Sequence, residues 1–271
     1  MKKFAVIGKP IKHTLSPRIH SEFAKKAGID ISYEAIEVDP KNFKQETIKL
    51  FKSGYEGLNV TLPLKELALD LADEISEMGL EAGAVNTLWK DKDKIFADST
   101  DGKGFLDDLV NNQISLKDKE LVILGAGGAS RSIIPSIISL GPKKVTLLNR
   151  TFERASDLAK HFTNRGVEVE ALRANEIPVG KIEGVINTTS AGITGGNFTF
   201  NPELFNEVIW TYDLSYSKEA TYFNQLAKNL GVQICLDGLG MLVNQAAGSF
   251  QIWTGIEPET EEVFNLIKNT L

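Results

Sequence analysis

LVILGAGGASRSIIPSIISL (121–140) is the stretch on which the fold turns. Four apolar residues run into a glycine-rich turn, and the turn opens directly into a helical pattern over Ala129 to Leu140. Strand, glycine turn and helix in that succession are what a dinucleotide-binding βα unit requires. Gly125 can make the sharp turn, and Gly127 lets backbone approach a pyrophosphate with no Cβ in the way. Unpaired N–H groups at the helix N-terminus would then meet the phosphate charge. The third position of the pattern, usually Gly or Ala, is Ser130. A bare glycine pattern serves a structural turn equally well, and it is the flanking strand and helix that favour binding here.

The next strand refines the reading. A site for NAD carries an Asp or Glu at the end of that strand to take the ribose 2′-hydroxyl. VTLLNRTFERA supplies Asn149, Arg150, Thr151 and Arg154 instead, with no acid at the strand end. Two arginines one helical turn apart can hold a 2′-phosphate through charge-assisted bonds, so the expected cofactor is NADP(H).

Outward from this unit, strand and helix patterns alternate along the whole chain, the signature of an α/β protein with parallel sheet covered by helices. On the N-terminal side, strands are expected at 4–8 (FAVIG), 32–38 and 57–62, with helices at Pro17 to Ala27 and Asn42 to Ser53. Ser16 is the expected N-cap of the first helix, with Pro17 at its first position. NVTLPLKELALDLADEI (59–75) reads as a strand end, a proline and an amphipathic helix with Lys65 in its first turn. A cation there opposes the helix dipole by about 0.3–1 kcal/mol at an exposed site, so its placement asks for a reason. Residues 84–99 read as a hairpin turning at Asp91–Lys94. On the C-terminal side, strands are expected at 144–150, 167–172, 184–189 and 210–216, a helix at Phe152 to Phe162, and a glycine-punctuated turn at Leu236 to Gly240. Helices at Asn244 to Thr254 and about Glu259 to Asn269 close the chain. The expected architecture is two domains: residues 1–102 plus 239–271 binding substrate and carrying catalysis, and 103–238 forming a doubly wound, Rossmann-type NADP-binding domain.

Bulk properties narrow the function classes. With 271 residues the chain can bury a substantial core, and 42% apolar and 24% charged residues are ordinary for a globular protein. A net charge of −6 leaves no general basic surface for a nucleic-acid backbone. No stretch approaches the roughly eighteen apolar residues that span a membrane, and no signal-peptide pattern opens the chain. A single cysteine, Cys235, cannot form an internal disulfide, and is expected to be a buried, inert thiol in a cytoplasmic protein. No metal-ligand pattern stands out.

Polar residues collect at strand ends in the N-terminal half: Thr14 and Ser16 in HTLSP, Asn59, Thr61, Lys65, Asn86 and Asp101. Ligands of open α/β sheets bind beyond the carboxyl ends of strands, so this clustering suits a pocket. Each has a plainer role available alone: Ser16 and Asp101 as helix caps, Asn86 in a turn, Lys65 in water. Together with the motifs NVTLPLKE, GAVNTL, TDGKGF, GAGGASR, NRTFERA, INTTSAG and DGLGMLVNQAAGSFQIWTG, in order from residue 13 to 255, they resemble the shikimate/quinate dehydrogenase family, and its NADP-dependent shikimate dehydrogenases in particular.

The resemblance implies reversible reduction of 3-dehydroshikimate to shikimate by NADPH, a step of aromatic amino acid biosynthesis. Lys65 and Asp101 would bracket the reacting hydroxyl, Thr14 and Ser16 would hold the substrate carboxylate, and Asn59, Thr61, Asn86, Asp101, Tyr216 and Gln245 would line the substrate. Gly125, Ala126, Gly127, Gly128, Ala129, Ser130, Asn149, Arg150, Thr151, Arg154, Thr188, Leu214, Gly238 and Met241 map onto cofactor positions. The glycine-rich GITGGNF stretch (192–198) is expected to gate the nicotinamide. Thr14 stands where the family commonly has serine, Ser99 where asparagine is common, and the SKEATYF segment after Tyr216 lacks a frequent proline. A quinate/shikimate dehydrogenase of broader substrate and cofactor use and a non-catalytic NADP-binding homologue are the alternatives. Either a monomer or a homodimer fits the sequence.

Overall fold

The computed structural model describes residues 1–189, 191 and 200–271, and it divides into two compact units, Met1–Asp108 with Met241–Thr270, and Leu109–Gly240. GITGGNF (192–198) lies outside the described residues.

The first unit is built on a six-stranded mixed sheet. Strands β1 (Lys2–Gly8), β2 (Ile31–Glu37) and β3 (Tyr55–Val60) are parallel, with helices α1 (Ser16–Ala27) and α2 (Phe43–Lys52) in the crossovers. After β3 come α3 (Lys65–Leu69), β4 (Glu74–Ile75) and α4 (Glu77–Ala82), then the hairpin β5 (Thr87–Asp91) and β6 (Lys94–Asp98). The sheet order is β2-β1-β3-β5-β6-β4, with β5 antiparallel to β3 and β6. Ala5, Ile7, Leu58, Val60 and Leu88 from the strands bury against Leu64, Ala68 and Phe51.

Two expectations are corrected here. The helix expected to run on to residue 75 ends at Leu69, because tertiary pairing takes the backbone beyond it: Asp73 N donates to Ile95 O (2.8 Å), and Ser76 N to Ala97 O (3.0 Å). Ser76 Oγ then caps α4 by accepting from Gly79 N at 3.0 Å. Ser16 is the first residue of α1 rather than its cap; Leu15 takes the cap position without a side-chain bond.

The second unit holds a fully parallel sheet of β7 (Glu120–Leu124), β8 (Lys144–Asn149), β9 (Glu168–Arg173), β10 (Ile182–Asn187), β11 (Trp210–Asp213) and β12 (Ile234–Asp237). Its order, β12-β11-β10-β7-β8-β9, is the doubly wound dinucleotide arrangement, two three-strand halves diverging from β7 and β10. Helices α6 (Gly128–Ser139), α7 (Phe152–His161) and α8 (Tyr222–Asn229) link strands, after α5 (Asp101–Asn111) has led into the unit. The central strands are buried as two covered faces demand, β7 and β11 at every position, while the edge strands β9 and β12 are partly exposed.

Strand β12 and helix α8 were not expected, and Cys235 on β12 is half-buried rather than buried. The turn expected at Leu236 to Gly240 narrows to Gly238, between the end of β12 and the start of α9 (Leu239–Thr254), whose Leu239 N is capped by Asp237 Oδ1 at 3.0 Å. Helix α10 (Glu261–Lys268) ends the chain.

Helix α9 carries an aromatic wedge into the first unit. Trp253 stacks on Phe4 with centroids 4.8 Å apart, and its Nε1 donates to Leu88 O at 3.2 Å. Gly57 makes room for it: a Cβ there would lie 2.4 Å from Trp253 Nε1. Beside the wedge, His20 is wholly buried and stacked on Tyr33 at 4.2 Å. Neither of its ring nitrogens has a hydrogen-bond partner among the described residues. Burial pushes its pKa down to about 3, weakly opposed by the nearby Asn59 amide. In the unfolded chain His20 takes a proton near its ordinary 6.5, while the folded protein does not until about 3. The unfolded state therefore binds more protons in that window, and stability falls as pH falls through it. Chemical denaturation at a series of pH values from 7 to 4 should show this loss, approaching about 1.4 kcal/mol per pH unit from this group. The same series on His20→Phe should lack that component, and identical slopes in the two proteins would refute the assignment.

Candidate active site

In the first unit, the ends of four elements converge on one polar network. Lys65 is the first residue of α3 and Asp101 the first of α5. Lys65 Nζ donates to Asp101 Oδ2 at 2.5 Å, with the two side chains only 15% and 5% exposed. A cation at the start of a one-turn helix is thus answered by a carboxylate at hydrogen-bond distance. Removing one member of such a pair leaves an uncompensated buried charge, at a cost of about 3–5 kcal/mol.

Asn86, in the segment before β5, fixes the other carboxylate oxygen. Its Nδ2 donates to Asp101 Oδ1 (3.0 Å), sharing its hydrogens with Gln245 Oε1 (3.0 Å) and Thr100 Oγ1 (2.9 Å). Its Oδ1 accepts from Thr100 N (2.9 Å) and Thr87 Oγ1 (2.9 Å). A backbone N–H can only donate and an ionised carboxylate can only accept, so the amide has one orientation.

Gln245 reaches this network because α9 lies unusually close to α5. A Cβ on Gly104 would sit 2.6 Å from Gln245 N, and one on Gly248 would sit 3.1 Å from Thr100 Cβ. Thr100 Oγ1 closes the contact by donating to Gln245 O at 2.9 Å.

Asn59 lies deeper in the same network. Its Nδ2 donates to Asn86 O (3.1 Å) and Ser249 Oγ (2.8 Å), while its Oδ1 accepts from Tyr33 OH (2.7 Å). Thr61 is half-buried just beyond β3, its methyl against Gly8, where a Cβ would lie 2.4 Å away. Thr14 Oγ1 donates to Ser16 Oγ at 3.1 Å, giving two adjacent hydroxyls at the start of α1. Thr87, Thr100, Ser249 and Tyr33 were missed by the sequence reading. For Ser249 a signal existed: it stands four residues after Gln245, on the same helix face.

The second unit carries the expected cofactor positions except Met241, which belongs to the first. Gly125, with φ +109, is required twice over: its conformation is left-handed, and a Cβ would lie 2.5 Å from Thr188 Oγ1. Gly127 is the N-cap of α6 and has open space where its Cβ would point, a cradle for a group approaching the backbone. Gly128 and Ala129 are the first two residues of that helix, and Ala126 precedes the cap. Ser130, the departure from the usual Gly or Ala, is fully buried and staples the turn. Its Oγ lies 2.9 Å from Gly125 O and 2.7 Å from Thr188 Oγ1, which itself donates to Leu124 O at 2.8 Å.

Asn149 ends β8, its Nδ2 donating to Thr151 O at 2.8 Å. Arg150 and Arg154 are exposed, and among the described residues no carboxylate pairs with either. Leu214 and Tyr216 follow β11, and Gly238 follows β12. Gly238 is packed so closely that a Cβ would meet Leu214 O at 2.1 Å. The residues present therefore fit a 2′-phosphorylated dinucleotide: an open glycine at a helix N-terminus, and unpaired arginines where an acid would repel phosphate. Among the described residues no group of His, Cys, Asp and Glu could hold a metal ion, and no helix is long and apolar enough to cross a membrane.

Known proteins give the same constellation a lineage. Residues 6–88 match the shikimate dehydrogenase substrate binding domain, residues 108–193 match shikimate/quinate 5-dehydrogenase, and residues 238–263 match the shikimate 5′-dehydrogenase C-terminal domain. The shikimate dehydrogenase (NADP(+)) of Actinobacillus succinogenes is 41% identical over 273 residues, covering 100% of each chain. A crystal structure of shikimate 5-dehydrogenase from Thermus thermophilus in complex with NADP(H) and shikimate is 33% identical, covers 100% of both chains and superposes with a TM-score of 0.85. The ligand-free 5-ketofructose reductase of a Gluconobacter species shares the fold at 27% identity and a TM-score of 0.84, covering 100% of this chain and 99% of its own. By its three matched segments, its full-length relatives and its α/β architecture, the chain belongs to the shikimate dehydrogenase family of oxidoreductases.

Proposed function

We propose that this protein reduces 3-dehydroshikimate to shikimate with NADPH, reversibly, in the route to chorismate and the aromatic amino acids, and that it does so in the cytoplasm. The observation that carries the reading is the Lys65–Asp101 pair, held in one orientation by Asn86. Residues 1–102 and 239–271 form the substrate and catalytic part in this reading, and residues 103–238 the cofactor part.

NADP(H), when bound, exchanges a hydride with the carbon that bears the reacting oxygen. In the oxidative direction, the substrate hydroxyl releases its proton to the Lys65–Asp101 pair as that carbon becomes a carbonyl. In the reductive direction, Lys65 returns the proton to the oxygen as the alcohol forms. Asp101 accepts from Lys65 through one oxygen and from Asn86 through the other, so the ammonium is aimed without being free to swing. The Thr14 and Ser16 hydroxyls take the substrate carboxylate, and Thr61, Asn86 and Gln245 read its ring hydroxyls, with Tyr216 nearby. Gln245 supports this assignment: one Nε2 hydrogen goes to Leu242 O at 2.9 Å, and the other has no partner among the described residues. On the cofactor side, the α6 N-terminus receives the pyrophosphate, and Arg150 with Arg154 receives the 2′-phosphate.

Lys65→Ala should lower kcat by about 10²–10⁴-fold while NADPH affinity, measured by titration, stays within about twofold. Wild-type activity in that variant would sink the assignment. Arg154→Ala should raise KM for NADP+ several-fold and leave KM for NAD+ unchanged; equal changes with both cofactors would disprove 2′-phosphate recognition. Steady-state assays with shikimate and quinate, each with NADP+ and NAD+, should give the highest kcat/KM for shikimate with NADP+. Faster turnover of quinate with NAD+ would favour the broader quinate/shikimate enzyme instead.

A further inference from the structure

One buried charge in the second unit has no part in the chemistry above. Asp213 is the last residue of β11, and its side chain is only 1% exposed. Its Oδ1 accepts from Asn187 Nδ2 at 2.9 Å and from Ser215 N at 3.0 Å. The Thr221 and Ser215 hydroxyls also donate to the carboxylate, although burial still pushes its pKa up. A buried carboxylate with donors from three segments costs desolvation and holds those segments together.

The segments are the end of β10, the turn after β11 and the stretch before α8, and the turn after β12 joins them through Ser215. Asn187, the last residue of β10, uses Oδ1 to accept from Thr189 N (3.1 Å) and Thr189 Oγ1 (2.7 Å), shaping the turn that carries Thr188. Thr188 Oγ1 reaches Leu124 O and Ser130 Oγ, so the same turn braces the glycine loop. Ser215 N ties Asp213 to the Leu214 turn, and Leu214 N donates to Asn187 O at 2.9 Å. Gly238 N in turn donates to Ser215 O at 3.0 Å, with Gly238 packed on Leu214 O. Thr221, which also caps α8 by accepting from Asn224 N at 3.2 Å, anchors the far side.

In a doubly wound sheet each three-strand half takes one mononucleotide of a dinucleotide. β7, β8 and β9 carry the glycine turn and the two arginines, which suit the phosphorylated adenosine half. β10, β11 and β12 are left for the nicotinamide half; Asp213 joins the turns after β10 and β11 directly, and the turn after β12 is tied on through Ser215 O. We propose that Asp213 is a positioning residue that sets the Thr188, Leu214 and Gly238 turns as the seat of the nicotinamide half of the cofactor. The proposal rests on the reading of this unit as the NADP(H) site.

The test is calorimetric titration of the full chain with two probes, NADP+ and adenosine 2′,5′-bisphosphate, which lacks the nicotinamide half. Asp213→Ala should weaken NADP+ by about tenfold or more, while the bisphosphate changes by less than about twofold. Asp213→Asn keeps an oxygen for Asn187 Nδ2 and Ser215 N, and its amide can donate to the two hydroxyls, so it should restore most of the NADP+ affinity. Unchanged NADP+ affinity in Asp213→Ala, or equal weakening of both probes, would overturn the proposal. If Asp213→Ala does not fold, Asn187→Ala cuts the link to the Thr188 turn and should show the same split; an unaltered NADP+ affinity there overturns it equally. A wild-type chain that binds neither probe would refute the cofactor reading itself, a result distinct from any difference among the variants.

Discussion

The buried polar network at the starts of α3 and α5 is arranged around the need to pair two charges taken out of water. Lys65 and Asp101 stand 2.5 Å apart with little exposure, and each would be costly to bury without the other. The pairing uses one carboxylate oxygen, and Asn86 occupies the second. Asn86 in turn is oriented by the backbone N–H of Thr100, the residue beside Asp101, so carboxylate and amide are set by the same turn of chain. Helix α9 completes the arrangement only because Gly104 and Gly248 let it approach α5 within the space a methyl group would fill. The geometry of the Lys65–Asp101–Asn86 cluster is therefore a consequence of backbone packing, and its side chains have few alternatives to adopt.

The second unit solves a different problem by related means. A dinucleotide needs exposed N–H groups at a helix start, yet the turn that presents them must not collapse. Ser130 holds that turn from beneath, bonded to Gly125 O and to Thr188 on the neighbouring strand end. The bond crosses from the turn after β7 to the turn after β10, where the two halves of the sheet diverge.

How much of this could be read from the sequence depended on whether the signal was local. The glycine turn, the parallel strands around it and the hairpin at 87–98 were legible because turn chemistry and apolar runs declare themselves within a few residues. The helix after Pro63 was read too long, because its amphipathic pattern continued while β6 claimed the backbone of Asp73 and Ser76 for a strand pairing no local pattern announces. Helix α9 was read too short, since glycines at 238 and 240 suggest a turn, whereas Asp237 caps a helix that begins between them. The supporting hydroxyls of Thr87, Thr100 and Ser249 were missed for the same reason. Each is an unremarkable residue in its own segment and acquires a role only where three segments meet.

Asn59 and Ser130 show what a motif records. Both were singled out as candidate ligand contacts, and both have their side chains committed inside the protein, Asn59 to Tyr33, Asn86 and Ser249, and Ser130 to the glycine loop and Thr188. A buried amide or hydroxyl must find partners, and once found those partners fix the backbone around it. A site that has to hold a proton donor within a fraction of an ångström needs such fixed points as much as it needs the groups that touch substrate. Short polar motifs at strand ends are therefore composite. Some of their residues, such as Lys65, present atoms outward; others, such as Asn59, keep the first kind in place, and spacing alone does not separate the two. Burial and satisfied donors set Asn59 and Ser130 apart from Lys65, a distinction that no spacing in the sequence draws.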